Sequence, residues 1–184
     1  MWPTAVLAYS CSWDGSLKEW DVPTGACSTS LHTSKAASCL DVSLLCGLLA
    51  SGHTDHILRL WDARCAPQSQ HQLSLRHKGW VSAVAWSRHR SQVRVRVRVR
   101  VRVRVRVRVR VSDPNPDPNP NQLLLSSCHD GCVRLWDTRS TVPLHELPPH
   151  ADKVLCVAWD GAERLVSGGA DGELRTLRLR LPAA

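Results

Sequence analysis

The sequence predicts an all-β protein built from about three and a half copies of one strand–turn–strand unit. Two observations support this prediction: a short pattern ending in Trp-Asp recurs along the chain, and most copies are separated by the same interval. A third observation qualifies it, because residues 88–121 have a very different composition and interrupt the third copy. The 184 residues are enough for one domain or two small ones.

The repeated unit is interpreted as a strand, a tight turn containing Asp, and a second strand. An Asp-Gly turn between two alternating apolar runs is a hairpin signature, because Gly readily adopts the positive φ that such turns require. Four segments share the pattern: residues 9–21 (YSCSWDGSLKEWD), 50–62 (ASGHTDHILRLWD), 125–137 (LSSCHDGCVRLWD) and 166–177 (VSGGADGELRTL).

The interval between copies is 41 residues. Trp20 and Trp61 are 41 positions apart, and so are Trp136 and Leu177, which takes the Trp position in the last copy. Trp61 and Trp136 are 75 positions apart, and removal of residues 88–121 restores the interval of 41. One insertion in one loop therefore accounts for the irregular spacing.

The chain is predicted to have three regions. Residues 1–87 hold the first copies, which lack the opening of the first unit, and residues 122–184 hold the last copies. Between them, residues 88–121 form a low-complexity insertion that we expect to be disordered. This insertion carries a charge of +9 out of a net +8, and the rest of the chain sums to −1, so the repeats themselves are not basic.

The insertion has two parts with different patterns. Val93–Val111 alternates Val and Arg strictly, so a strand would place every Arg on one face, and nothing else in the chain is patterned to pair with it. Ser112–Asn121 alternates Pro with Asp or Asn, which favours polyproline-like or turn geometry. The strict repeat is typical of translated simple-sequence DNA. Two alternatives are an arginine arm that binds RNA phosphates and an ordinary disordered loop.

The interval and the Trp-Asp ending resemble the WD-repeat β-propeller family. Closed propellers have about 4–8 blades, so the resemblance implies an incomplete propeller, the C-terminal part of a larger ring. In this family a buried tetrad of His, Ser or Thr, Asp and Trp holds each blade together. The resemblance assigns these tetrads to His32, Ser51, Asp55 and Trp61; to His77, Ser126, Asp130 and Trp136; to His150, Ser167 and Asp171, with Leu177 in place of Trp; and to Ser10, Asp14 and Trp20, without a His.

The tetrad residue types suit a buried hydrogen-bonded network. An imidazole can donate from one nitrogen to the Asp and use the other with the Ser hydroxyl, while the Trp N–H needs an acceptor when buried. The same residue types occur in hydrolase triads. Here the set recurs in every repeat, the Trp is expected to cover the Ser, and the sequence contains no G-x-S-x-G motif, so no catalytic site is expected.

Two turns contain residue types that bind metals. They are residues 128–132 (CHDGC) and 53–56 (HTDH). A zinc site requires four converging ligands, and neither turn has a second pair nearby in sequence. We therefore expect no metal site and no cofactor. No apolar run approaches the roughly 18 residues of a membrane helix, so no membrane contact is expected either.

Residues 24–61 are similar to the ribosome-biogenesis WD-repeat family of the pescadillo-containing (PeBoW) complex, the vertebrate counterparts of yeast Ytm-one, as are residues 77–87, 133–139 and 150–159. This resemblance implies a scaffold of the nucleus, in nucleolus and nucleoplasm, for maturation of the large ribosomal subunit and its 28S and 5.8S rRNA. The implied partners are the WD-repeat block-of-proliferation protein, pescadillo and the pre-60S particle. Contact with midasin is not expected, because the family's N-terminal ubiquitin-like domain has no counterpart here.

Three residues are candidates for partner binding. Trp80 follows a Lys-Gly pair where loops of the family approach the partner, and aromatic residues often anchor interfaces. Arg64 and Arg139 end W-D-x-R segments like those of WD-repeat substrate receptors of cullin ubiquitin ligases. Such a receptor is the alternative function. Both Arg residues also fit ordinary solvated turns.

Overall fold

The computed structural model describes residues 7–43, 47–62, 73–87, 96–98, 123–161 and 164–180. These residues form β-strands joined by turns and loops, and none of their segments is a helix long and apolar enough to cross a membrane. The strands are β1 (Leu7–Cys11), β2 (Ser16–Asp21), β3 (Ala26–His32), β4 (Ala37–Ser43), β5 (Leu48–His53), β6 (Ile57–Asp62), β7 (Leu73–Arg76), β8 (Val81–Trp86), β9 (Arg96–Arg98), β10 (Leu123–Cys128), β11 (Val133–Asp137), β12 (His145–Glu146), β13 (Val154–Asp160), β14 (Arg164–Gly169) and β15 (Leu174–Arg180).

The strands form four antiparallel sheets, here called blades 1 to 4. Blade 1 contains β1–β3, blade 2 contains β4–β7, blade 3 contains β8 and β10–β12, and blade 4 contains β13–β15 with β9 at its edge. The repeat register recurs between blades, since Trp61 pairs with Leu49 and Trp136 pairs with Leu124. The predicted all-β, incomplete WD-repeat propeller is confirmed.

The four Asp turns have one geometry. Each Asp carboxylate accepts the backbone N–H two residues later, over 2.7–3.3 Å, which closes the turn from a side chain. The residue after each Asp has a positive φ, and in three turns that residue is Gly, which has no Cβ to oppose it. In blade 2 His56 adopts φ 69° instead, so the turn does not depend on Gly alone.

The apolar core lies between neighbouring blades. It consists of three clusters, one at each of the three joints. In every cluster an apolar residue from the strand after the Asp turn meets the Trp-position residue of the next blade. These pairs are Leu17 with Trp61, Leu58 with Trp136, and Val133 with Leu177. The blades therefore stabilise one another by mutual burial.

Hydrogen bonds also connect the inner strands β4, β8 and β13. Ser hydroxyls donate forward to the next blade and Trp indole N–H groups donate back to the preceding one. The four bonds are Ser38 to Val81 O, Ser82 to Val154 O, Trp86 to Asp41 O and Trp159 to Ala85 O. Each of these donors is thus satisfied across a joint.

Part of the insertion joins blade 4. Strand β9 pairs with β15, with Val97 opposite Leu179. The expectation that nothing pairs with the Val-Arg tract is wrong for these three residues. The outer edge of β15 presents backbone groups that an extended segment can join. The expected disorder of the remainder of residues 88–121 lies outside the described residues.

Candidate functional site

Three blades contain a Trp that donates its indole N–H to a Ser hydroxyl. The Trp follows its Ser by ten residues and lies on the adjacent strand. The pairs are Trp20–Ser10, Trp61–Ser51 and Trp136–Ser126, at 2.9, 2.8 and 2.7 Å between Nε1 and Oγ. The structure therefore brings together the Ser and Trp members of all three assigned sets.

In blade 3 the network continues to His77. Its Nε2 lies 2.7 Å from Ser126 Oγ and its Nδ1 lies 3.2 Å from the Leu75 carbonyl oxygen. A carbonyl can only accept, so Nδ1 donates, and Nε2 is left to accept the Ser126 hydroxyl proton. Burial, together with the positive charge of Arg134, lowers the pKa of His77 to about 4. His77 is therefore a neutral, structural imidazole.

Asp130 does not contact His77 as expected. Its carboxylate instead pairs with Arg134, with 2.7 Å between Oδ2 and Nη2, and Arg134 also binds Glu146 at 2.7 Å. Only 3% of the Arg134 side chain is exposed. Burial alone would raise the pKa of Asp130, but the hydrogen bond from Arg134 holds it below its usual range. The guanidinium outcompetes the imidazole because it is charged and can donate to two carboxylates at once.

In blade 2 the assignment of His32 is wrong. His32 is exposed at the end of β3, and His53 takes the imidazole position instead. His53 Nε2 lies 2.8 Å from Ser51 Oγ, and its Nδ1 lies 3.4 Å from the Lys35 carbonyl oxygen. Burial and the nearby Arg59 charge lower the pKa of His53. The imidazole therefore comes from strand β5 and not from the preceding loop.

Steric exclusion explains this exchange. Thr33 occupies the loop position of blade 2 that His150 occupies in blade 4, four residues before the inner strand. His53 corresponds in turn to Gly169, two residues after the buried Ser. A Cβ on Gly169 would lie 2.5 Å from His150 Nδ1 and would also collide with Asp171 Oδ1. Blades 2 and 4 thus fill this volume from opposite sides, whereas blade 3 holds both the loop residue His77 and the smaller Cys128 at the strand position.

Blade 4 contains the expected Asp–His–Ser arrangement. His150 Nδ1 lies 3.0 and 3.1 Å from the two Asp171 carboxylate oxygens, and Nε2 lies 2.9 Å from Ser167 Oγ. Leu177 occupies the Trp position and is buried, so packing is kept while the indole donor is lost. In blade 1 Asp14 closes its own turn by accepting from the Ser16 backbone.

The sequence analysis missed a basic residue that follows each repeated Asp by four positions. In blades 2 to 4 this residue forms an ion pair with the Asp of its own turn. The four residues are Lys18, Arg59, Arg134 and Arg175. The signal was present in the repeats, since each reads Asp, two variable positions, an apolar residue and then Lys or Arg. Asp55 illustrates the effect: burial would raise its pKa, but Arg59 holds it below its usual range.

Burial separates the Ser side chains of blades 2 to 4 from any substrate. Ser51 and Ser126 are fully buried and Ser167 is buried, so a substrate cannot reach their hydroxyls. Within the described ranges, the His, Cys and acidic side chains that converge closely enough to hold a metal are His150, Asp171 and Glu173. Two of them already bond to each other, and Arg175 places a cation against both carboxylates. This arrangement favours a structural role.

Trp80 forms an exposed aromatic pair. Its ring stacks on His129, with 5.6 Å between centroids and 28° between planes, and 44% of Trp80 is exposed. The two residues are also joined through the backbone, by a 2.9 Å bond from the His129 N–H to the Trp80 carbonyl. The same backbone bond recurs in blades 2 and 4, where it joins Thr54 to Ala36 and Ala170 to Lys153. Only blade 3, among these, carries aromatic rings at this position.

The structure describes one of the other two partner-binding candidates. The Arg139 guanidinium donates to both carboxylate oxygens of Asp137, at 2.7 and 3.1 Å. It therefore lies back on its own strand. Arg64 lies outside the described residues.

The comparisons with known proteins agree with this geometry. The family described as WD domain, G-beta repeat matches residues 25–62, 111–137 and 141–176. The chain is similar to proteins named ribosome biogenesis protein WDR12 homolog. That of Oryza sativa subsp. japonica is 36% identical over 94% of this chain and 33% of its own length. Those of Arabidopsis thaliana and Nematostella vectensis are 36% and 32% identical, each over 95% of this chain, and over 34% and 35% of their lengths. The chain thus spans about a third of the length of these relatives.

Proposed function

The chain belongs to the WD-repeat family, and from this premise we propose that it is a non-catalytic interaction scaffold in ribosome biogenesis. The printed names of its relatives support the process. The buried Ser and His side chains support the non-catalytic role, because they bond to each other inside blades 2 to 4. Within that process we assign the chain to maturation of the large (60S) subunit and of its 28S and 5.8S rRNA.

The observation that carries the scaffold role is the stacked pair of Trp80 and His129. A rigid, half-exposed indole provides a large contact area and loses little conformational entropy on binding, as interface anchors do. His129 stacks on the ring, and 44% of Trp80 remains exposed. We assign this surface to a protein partner of the maturing particle.

The proposed partners follow from the resemblance to the PeBoW family. They are the WD-repeat block-of-proliferation protein and pescadillo, together with the pre-60S particle that carries them. The proposed location is accordingly the nucleolus and nucleoplasm. The cullin-receptor alternative has no support in the described residues, because Arg139 is engaged by Asp137.

The test is sedimentation of the tagged full chain with pre-60S particles on a sucrose gradient. Trp80→Ala is expected to shift the chain to the top of the gradient, because the anchor is lost. Trp13→Ala is the matched control, since Trp13 is 73% exposed and precedes the Asp of its own turn just as His129 does. The control is expected to stay with the particles.

Two results would contradict the proposal. Wild-type chain that never enters the pre-60S fractions would refute the assignment to ribosome biogenesis. Equal behaviour of the Trp80 and Trp13 variants would refute the role of the stacked pair. Circular dichroism of both variants shows whether the blades remain folded.

A further inference from the structure

Three loops lie at the same end of blades 2, 3 and 4 as the Trp80–His129 pair. They are residues 33–36, 77–80 and 150–153, and each directly precedes an inner strand. Each loop contains one exposed lysine, Lys35, Lys78 or Lys153, so we call the three loops the basic rim. The whole chain has four lysines, and three of them therefore lie on this rim.

Hydrogen bonds between the blades hold the rim loops next to one another. The Ser38 hydroxyl donates to the carbonyl of Val81, and the Ser82 hydroxyl donates to the carbonyl of Val154. All four of these residues lie within two positions of a rim loop. Trp80 belongs to the middle loop, so a loop that carries a lysine lies on either side of it.

The rim lysines carry positive charge that the neighbouring acidic groups do not pair with. The repeated Asp in the turn beside each loop is paired with the Arg four positions later. Asp152 is the acidic residue of the rim loops themselves, so three Lys and one Asp give these loops a net charge of +2. In the part of the chain that the structure describes, Lys35, Lys78 and Lys153 form no ion pair. Since the repeats as a whole sum to −1, this end of the blades concentrates positive charge.

We propose that the basic rim binds an acidic segment of the partner protein, with an apolar side chain of that segment packed on the exposed indole of Trp80. This inference rests on the proposed function, because it names the chemistry of the partner at the same surface. Carboxylates complement the three ammonium groups, and complementary charge speeds association and selects the partner. Neighbouring sheets pack roughly 10 Å apart and an extended chain rises about 3.3 Å per residue, so a segment of about six residues crosses the rim.

The residue types of the rim favour a carboxylate partner over RNA. Proteins that bind single-stranded RNA stack successive bases on several aromatic side chains, whereas the rim loops contain one such platform, Trp80. Arg is the residue that binds phosphate through two parallel hydrogen bonds, and the rim loops contain Lys and no Arg. A lysine ammonium is a compact point charge on a flexible stem, which suits carboxylates spaced along a peptide.

Fluorescence anisotropy of a labelled peptide with the full chain tests this inference. The probe is a Glu-rich peptide of about six residues, the length that crosses the rim, with Leu at its centre. The wild-type chain is expected to bind it at low salt and to lose it as salt screens the charges. Substitution of Ala for Lys35, Lys78 or Lys153 should each weaken binding about two- to fivefold, and the triple variant about tenfold or more. Trp80→Ala should also weaken binding about tenfold or more.

Lys18→Ala is the matched control. Lys18 is the fourth lysine of the chain, and it lies on β2 with its Nζ over the Trp20 ring, outside the rim. This variant should bind as the wild type does, and exchange of all three rim lysines for Arg should keep binding because it keeps the charge. Absence of binding by the wild-type chain at low salt overturns the inference, as does equal binding by the triple Ala variant. Tighter binding of an oligouridylate RNA of the same length also overturns it, in favour of nucleic acid.

Sedimentation with pre-60S particles separates this inference from the proposed function. The triple Ala variant is expected to leave the particles, as the Trp80→Ala variant is, and circular dichroism shows whether it remains folded. A folded triple variant that stays with the particles while Trp80→Ala leaves them overturns the acidic partner and keeps the scaffold role. A wild-type chain that never enters the pre-60S fractions refutes the proposed function, and the peptide measurement then still decides whether the rim binds carboxylates.

Discussion

Transferring the imidazole position of blade 2 to blade 4 tests the steric explanation of how the two blades differ. The two substitutions are His150→Thr, which copies Thr33, and Gly169→His, which copies His53. In the wild type a side chain at position 169 would meet His150 Nδ1 at 2.5 Å. With Thr at position 150 the clash with the imidazole is removed. Asp171, whose Oδ1 a Cβ at position 169 would meet at 2.3 Å, must also turn towards Arg175, as Asp55 pairs with Arg59 in blade 2. The introduced imidazole can then reach Ser167 as His53 reaches Ser51.

The expected magnitudes follow from burial. His150→Thr deletes the bond to buried Ser167 and should cost about 1–3 kcal/mol of the free energy of unfolding. Gly169→His alone forces two side chains into one volume, and overpacking also costs about 1–3 kcal/mol. In the double variant each change removes the defect of the other. Its loss should be smaller than either single loss, with a coupling energy on the order of 2 kcal/mol.

Urea unfolding, followed by Trp fluorescence, is measured for the wild type, the two single variants and the double variant. The midpoint and its slope should be compared at one fixed pH. A double variant whose loss equals the sum of the single losses would show that the two positions do not share a volume, and would refute the reasoning. The pair His150→Thr with Val142→Ala serves as a control, since Val142 is 67% exposed on the loop between β11 and β12 and its effect should add independently.

Three further predictions concern stability. Asp130→Ala should cost about 3 kcal/mol in urea unfolding, because it leaves the buried Arg134 with one exposed partner, Glu146. Glu146→Ala should cost about 1 kcal/mol or less, because Glu146 is exposed. Equal losses in the two variants would contradict the stronger pairing of Arg134 with Asp130. Lowering the pH from about 6.5 towards 4 should destabilise the fold by up to roughly 3 kcal/mol through His77. Its pKa is lowered in the fold, so the unfolded chain binds the proton first. His77→Gln should flatten that part of a pH titration of the unfolding midpoint, and an unchanged slope would contradict the role of His77. Trp136→Phe should cost about 1 kcal/mol more than its packing loss in urea unfolding, because Ser126 loses a donor. Ser126→Ala in the same background should add a further loss, because it leaves the buried His77 Nε2 without the hydroxyl that donates to it, and no further loss would contradict the network.

The repeats and their turns could be predicted from the sequence because each rests on local chemistry. The Asp carboxylate closes its turn with a backbone N–H two residues away, and Gly15 supplies the positive φ from within the same turn. The 41-residue interval, which holds for Trp61 and Trp136 once residues 88–121 are removed, then matches their equivalent register positions on their strands. Local rules and spacing were sufficient for the sheet order.

The sources of the imidazoles and the partners of the Asp residues could not be predicted in this way. Both His32 and His53 lie near Ser51 in the sequence. Which of them bonds to Ser51 depends on which side of the blade has space for an imidazole. Gly169 reveals that competition only once a Cβ is placed on the backbone. The Arg partners were visible as a repeated basic position, but their capture of Asp130 depends on burial that spacing does not show.

Lysine-directed cross-linking of the particle-bound chain tests the proposed scaffold role most directly. Lys78 is exposed and lies two residues before Trp80, so it reports on what covers the stacked pair. The account predicts cross-links from Lys78 to a protein of large-subunit precursors, and their loss in the Trp80→Ala variant but not in Trp13→Ala. Cross-links from Lys78 that persist without Trp80, or that reach only proteins outside these precursors, would contradict it.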